Sequence, residues 1–210
     1  MVLSGPPDPA AWARIRTITG LEEAPLQREY WAHRHDYDRG TLTGEAFWHK
    51  AAVGADIVLT PGQVAELLDA DTDLWSQINR PMLDWAQRLQ RAGIRTGILS
   101  NIGDAMTDGL LRKHDWLSGF DHRTWSYALK LAKPELAIYR AAAEGLRTPA
   151  ANILFIDDRP ENVAAAHAAG MQAIQYRDHP SFEREMRERG LDDLLHTGDE
   201  TAASRAAPDK

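Results

Sequence analysis

In Asn152-Ile153-Leu154-Phe155-Ile156-Asp157-Asp158 an apolar run of strand length stops at two carboxylates, and Pro160 stands where the first turn of a helix would begin. A strand that feeds a helix ending near Gly170 is half of a βαβ unit. Met171-Gln172-Ala173-Ile174-Gln175-Tyr176 supplies a following strand. Upstream, Ile94-Arg95-Thr96-Gly97-Ile98-Leu99 reads as another strand that ends in polar residues, Ser100 and Asn101, ahead of a helix from about Asp104. The segment from Pro81 to Leu89 precedes it as an amphipathic helix, with Met82, Trp85, Ala86 and Leu89 on one face and Gly93 as a stop. Residues 80–178 therefore predict an α/β fold, a Rossmann-like, mainly parallel sheet flanked by helices. Ligands of such open sheets bind beyond the carboxyl ends of the strands, so Ser100-Asn101 and Asp157-Asp158 are expected to face one crevice.

Residues 10–78 differ in character. Segments such as Trp12-Ala13-Arg14-Ile15 and Val64-Ala65-Glu66-Leu67-Leu68 have helical spacing, and no convincing buried strand lies between them. This predicts an inserted α-helical cap over 10–78 and a discontinuous core of 1–9 and 79–195. The small, polar residues 196–210 read as a disordered tail.

Composition narrows the function classes. With 31 acidic against 24 basic residues, the surface has no general attraction for nucleic acid, so an anionic substrate needs a few local donors. The lack of cysteine rules out thiolate nucleophiles and cysteine-held zinc. No apolar run is long enough to span a bilayer and the first residues do not resemble a secretion signal, so a cytoplasmic location without membrane contact is expected. A homodimer is left open. Glycine-rich dinucleotide and nucleotide loops, the Gly-x-Ser-x-Gly elbow and the His-Glu-x-x-His zinc motif do not occur.

Three polar signals occur in order: Leu99-Ser100-Asn101, Lys133-Pro134 before a helix, and Ile156-Asp157-Asp158. Each alone has an ordinary explanation as turn chemistry, helix start or helix cap. Together they supply what phosphoryl transfer needs: a hydroxyl and amides for phosphate oxygens, a lysine to neutralise charge, and hard carboxylates for Mg²⁺. Other candidates are weaker. His33 and His35, two apart, diverge on a helix, so a metal site there with His49 is not expected. Trp31, Phe47 and Trp48 read as cap core, and Trp12, Trp75, Trp85, Trp116 and Trp125 as core or contact residues. Arg184, Arg187 and Arg189 alternate with glutamates as a solvated helix face.

The order and spacing of these signals resemble the second, third and fourth motifs of the haloacid dehalogenase-like superfamily. The likeness is nearest to the helical-cap branch that includes sugar-phosphate phosphatases, haloacid dehalogenases and the amino-terminal phosphatase domains of some epoxide hydrolases. The stretch from Tyr37 to Trp48, with Gly40 and Phe47-Trp48, is similar to that branch's cap segment. The resemblance implies that Ser100 binds the transferring phosphoryl group with Asn101 beside it, and that Lys133 pairs with the nucleophile and phosphate. It implies that Asp157 and Asp158 hold Mg²⁺ directly or through water and that Asn162 steadies the site. The family's nucleophile is an aspartate ending an apolar strand, and Met1-Val2-Leu3-Ser4-Gly5 looks like the tail of that motif. The nucleophile is therefore expected just upstream of Met1, through a late start, a trimmed chain or genuine loss, the first being preferred.

The resulting expectation is a Mg²⁺-dependent phosphatase of a small phosphorylated metabolite, acting through an aspartyl-phosphate, with the chain as given inactive. The alternatives are a catalytically silent binding or scaffold protein and, less favoured, a haloacid dehalogenase, whose chemistry has no use for the carboxylate pair.

Overall fold

Local capping rules set where the helices begin. Asp8 accepts from the amide of Ala10 at 2.8 Å and Pro9 opens α1 (Pro9–Thr19). Thr60 and Gln63 cap each other reciprocally at the start of α4 (Pro61–Trp75). The computed structural model describes residues 1–197. Between these two helices lie α2 (Glu23–Arg39) and α3 (Gly44–Gly54). Their inward faces make one aromatic core, with Tyr30, Tyr37, Phe47 and Trp48 at 1% exposure or less. Trp31 does not join it: this ring is 52% exposed, because it lies one residue round the helix from the buried stripe that contains Tyr30.

A buried charge sits in this core. The Arg34 guanidinium reaches both carboxylate oxygens of Asp71 at 3.2 and 3.3 Å, Asp38 at 2.8 Å and the hydroxyl of Tyr30.

The α/β half begins with α5 (Arg80–Arg91), whose Met82, Trp85, Ala86 and Leu89 are buried as the spacing predicts. Then come β1 (Gly97–Ser100), α6 (Asp104–Lys113), β2 (His122–Trp125), the short α7 (Ser126–Leu129) and α8 (Leu136–Leu146). They are followed by β3 (Leu154–Asp157), α9 (Pro160–Ala168), β4 (Gln172–Gln175), α10 (His179–Glu188) and α11 (Asp192–His196). His196, read from sequence as the start of a tail, closes α11 instead; residues 198–210 of that expected tail lie outside the described residues. β1 is shorter than its apolar pattern, because Gly93 at φ 78° ends α5 and Ile94 still bonds back to Leu89.

Among the described strands pairing is parallel, β1 with β2 and β3 with β4. The described strands thus form two separate pairs. β1 and β3 face a common cavity of about 1180 Å³ lined by residues 97–102 and 152–159. The burial pattern follows from this. Ile98, Leu99, Phe155 and Ile156 are only half-buried, whereas Ala173 and Ile174 on β4 are fully buried. Met1 lies at the carboxyl end of β3, its amino group 3.0 Å from Asp158, and Ser4 bridges to Ile78.

Candidate active site

Strand ends bring the polar signals together. Ser100 is the last residue of β1 and Asp157 the last of β3, and Ser100, Asn101, Lys133, Asp157, Asp158 and Asn162 all line the cavity between the strand pairs.

Asp157 is the fixed point of the site. It is 3% exposed, and one oxygen takes the Lys133 ammonium at 2.6 Å. The other accepts from the Arg159 amide at 2.9 Å and the Asn162 side chain at 2.8 Å. Three donors on one buried carboxyl group fix its orientation and, through it, that of the lysine. Asn162, one turn into α9, also accepts through its carbonyl from the buried hydroxyl of Tyr139. Asp158 is exposed, with its side chain directed to the amino group of Met1.

Lys133 owes its position to its backbone. Its amide donates to the Asn101 side-chain oxygen at 2.8 Å, and its carbonyl accepts from the Asn101 amide group at 3.0 Å. The resemblance implies a substrate-binding role for Asn101 and Asn162; in the structure their side chains hold Lys133 and Asp157. Ser100 is half-buried beside them.

The Lys133 loop is also held from the helical side, through residues that sequence reasoning did not single out. Arg39 at the end of α2 grips Glu135 with two nitrogens, and the same carboxylate accepts from the Ala132 amide at 2.9 Å. Those bonds, from Arg39 first and Ala132 second, hold the Glu135 carboxyl below its ordinary pKa. Lys130 caps the Gly40 carbonyl, and the buried Ser126 hydroxyl joins the Asp38 carbonyl to the Ile102 amide. Gly40, at φ 80°, lies so close that a Cβ there would meet the Tyr127 carbonyl at 2.4 Å. A glutamate two residues after Lys133 at a helix start was the available signal.

Arg39→Ala is expected to accelerate hydrogen exchange across residues 130–135 while costing only about 0.5–1 kcal/mol, the usual worth of a half-exposed pair. Exchange unchanged from the parent would show that the bonds to Asn101, Asp157 and Gly40 hold the loop without Arg39.

The family model for haloacid dehalogenase-like hydrolase matches residues 2–170. The chain belongs to that family.

Among curated relatives of this haloacid dehalogenase-like hydrolase is a drimenol cyclase of Aspergillus calidoustus, 26% identical over 181 residues, which are 80% of this chain and 33% of that protein. Another is a sesquiterpene phosphatase of Aspergillus oryzae, 26% identical over 163 residues, 78% of this chain and 80% of that one. The chain thus spans a third of the first relative and most of the second. A family enzyme of Bacteroides thetaiotaomicron superposes with a TM-score of 0.71 at 18% identity, covering 89% of this chain and 94% of its own. The same enzyme in complex with magnesium and inorganic phosphate gives 0.67 at 20% identity, over 84% and 89%. At such identities the likeness is one of fold.

Proposed function

We propose that this hydrolase is a Mg²⁺-dependent phosphomonoesterase of a small phosphorylated metabolite. The observation that carries the reading is the convergence of Ser100, Lys133, Asp157 and Asp158 on one cavity at the strand ends. The phosphatase activity named for the Aspergillus oryzae relative and the magnesium and phosphate bound by the Bacteroides enzyme support it.

In this reading residues 10–78 are the cap, and 1–9 with 79–195 the core. The Ser100 hydroxyl donates to a phosphate oxygen. Lys133, anchored on Asp157, offsets the charge that grows on the phosphoryl group, without reorganising as it does so. Asn101 and Asn162 keep those two groups in place.

The donor set fits Mg²⁺ modestly. Among the described residues no three histidine or acidic side chains cluster, but Mg²⁺ commonly takes one or two carboxylates plus phosphate and water. Asp158 would be its principal protein ligand, with Asp157 reaching it directly or through water, and the bound ion would supply charge stabilisation at the phosphate oxygens.

The nucleophile proposed is an aspartate on a strand that precedes Met1. In support, β1 and β3 turn their free edges to one cavity, and Met1 sits at the carboxyl end of β3. A strand leading into Met1 between them would run parallel to both and end beside Lys133 and Asp158.

Calorimetry with Mg²⁺ and inorganic phosphate tests the site itself. Little Mg²⁺ binding is expected to the bare protein, and phosphate with Mg²⁺ should bind roughly tenfold or more weakly in Lys133→Ala and Asp158→Asn. Phosphate binding that ignores both changes would overturn the assignment. Tight Mg²⁺ binding without phosphate, lost in Asp158→Ala, would reveal a ligand set richer than the one proposed.

A further inference from the structure

Beyond its polar strand ends, the cavity has a wall of carbon. Trp125 is the in-register neighbour of Ser100 across the β1–β2 pair, so the wall begins beside the residue assigned to phosphate. Trp75 and Leu110 line the same cavity, and both pack with Trp125 against the aromatic core of α1–α4. Trp31 continues the surface, its ring edge-on to Trp75 at 6.2 Å. These rings are not awaiting polar partners. The Trp31 indole donates to Gln27 at 3.0 Å and the Trp75 indole to the Tyr30 hydroxyl at 2.8 Å, leaving ring carbon for the cavity.

Trp31 carries the strongest indication of a ligand. A tryptophan left 52% exposed beside a cavity is an unusual use of a large apolar side chain, and it lies on the same cavity as Lys133. Charge on this side is already committed, because the Arg34 guanidinium is held by Asp38 and Asp71. Among the described residues on this side of the cavity, a second phosphate would find only the exposed His35 as a further basic side chain, and most of a sugar's hydroxyls would lie against indole and leucine.

From this we infer that the preferred substrate is the phosphate monoester of an apolar alcohol, its tail lying along Trp125, Trp75, Leu110 and Trp31. The inference rests on the phosphatase reading and adds the chemistry of the leaving group.

Binding can be measured by calorimetry on the full chain with Mg²⁺, using inorganic phosphate, butyl phosphate, octyl phosphate, glycerol phosphate and octan-1-ol as probes. Octyl phosphate is expected to bind roughly tenfold to a hundredfold more tightly than butyl phosphate, the range given by partial to nearly full burial of the added methylenes. Glycerol phosphate should bind no better than inorganic phosphate. Trp31→Ala and Leu110→Lys should each bring octyl phosphate close to butyl phosphate while leaving inorganic phosphate unchanged, with circular dichroism confirming that each variant folds.

Equal binding of butyl and octyl phosphate, with inorganic phosphate still bound, would overturn the apolar tail and leave the phosphatase reading standing. An octyl preference kept intact in both variants would also overturn it, since the tail would then lie elsewhere, as between β1 and β3. Octan-1-ol binding as tightly as octyl phosphate, with no effect of Lys133→Ala, would defeat the proposal by removing the anion site and the phosphatase reading with it.

Discussion

Replacing Asp71 by alanine is expected to cost about 3–5 kcal/mol, a large share of the stability of a chain this size. Asp71 is 1% exposed and Arg34 8%, so the substitution removes one of the two counter-charges, Asp38 being the other, of a guanidinium in a nearly dry core. Burial disfavours the charge of Arg34, but Tyr30, Asp38 and Asp71 outweigh it and raise its pKa further. The cation cannot escape the loss of Asp71 by releasing its proton. The rings of Tyr30, Tyr37 and Trp75, 5.4–5.6 Å from the guanidinium carbon, recover little of the deficit. Replacing all the charges together, as Arg34→Met with Asp38→Asn and Asp71→Leu, should return the protein to within about 2 kcal/mol of the parent, because desolvation is then removed along with attraction. Urea unfolding measures both. A cost below about 1 kcal/mol for Asp71→Ala would mean that water reaches the network, contrary to its burial.

The same network gives stability a pH dependence of unusual sign. Burial pushes the Asp38 carboxyl up to about 6, with Arg34 opposing. The folded state then holds the Asp38 proton more tightly than the unfolded chain does. Its contribution to stability is fully present below the ordinary value of 3.8 and is lost as pH rises towards about 6. In Asp38→Asn that decline should be absent from the unfolding midpoints.

What could be read in the sequence depended on how sharply physics marks each element. β3 was plain because an apolar run meets two carboxylates, and its terminal residues are the ones that gather the site. β2 went unread: His122-Arg123-Thr124-Trp125 has no apolar run, and only Thr124 is buried. Trp31 reads from the sequence as cap core, yet it is 52% exposed. The inward positions of α2 are Leu26, Tyr30, Arg34 and Tyr37, and the arginine hides the stripe because charge normally marks the wet face. Arg39 and Glu135 are 96 residues apart and each resembles an ordinary surface charge, so their clamp on the Lys133 loop becomes visible only with the fold. Ser100 and Asp157 needed no such help to be placed on one cavity, because polar residues that end parallel strands are directed to one place by topology.

An extended chain, with an apolar strand ending in aspartate placed ahead of Met1, is expected to hydrolyse phosphomonoesters, and the same chain with that aspartate changed to asparagine should turn over at least about a thousandfold more slowly. Uncatalysed hydrolysis of phosphate monoesters is among the slowest of biological reactions, and in the proposed site Ser100, Lys133 and a bound cation would only stabilise charge. Without an attacking carboxylate they leave the residual acceleration that binding groups give when a nucleophile is removed, so the 210-residue chain should show traces of activity and no efficient turnover. Structure adds a second readout. A strand seated between β1 and β3 would bury Ile98, Leu99, Phe155 and Ile156, now half-exposed, so the extended chain should also be more stable and slower to exchange the amides of β1 and β3. The two readouts separate the outcomes. Stabilisation without activity would establish the strand and dismiss its aspartate as nucleophile, favouring a binding or scaffold role. Efficient turnover by the 210-residue chain, dependent on Ser100 and Asp158, would require a nucleophile already present in it, such as a water activated at the carboxylate pair.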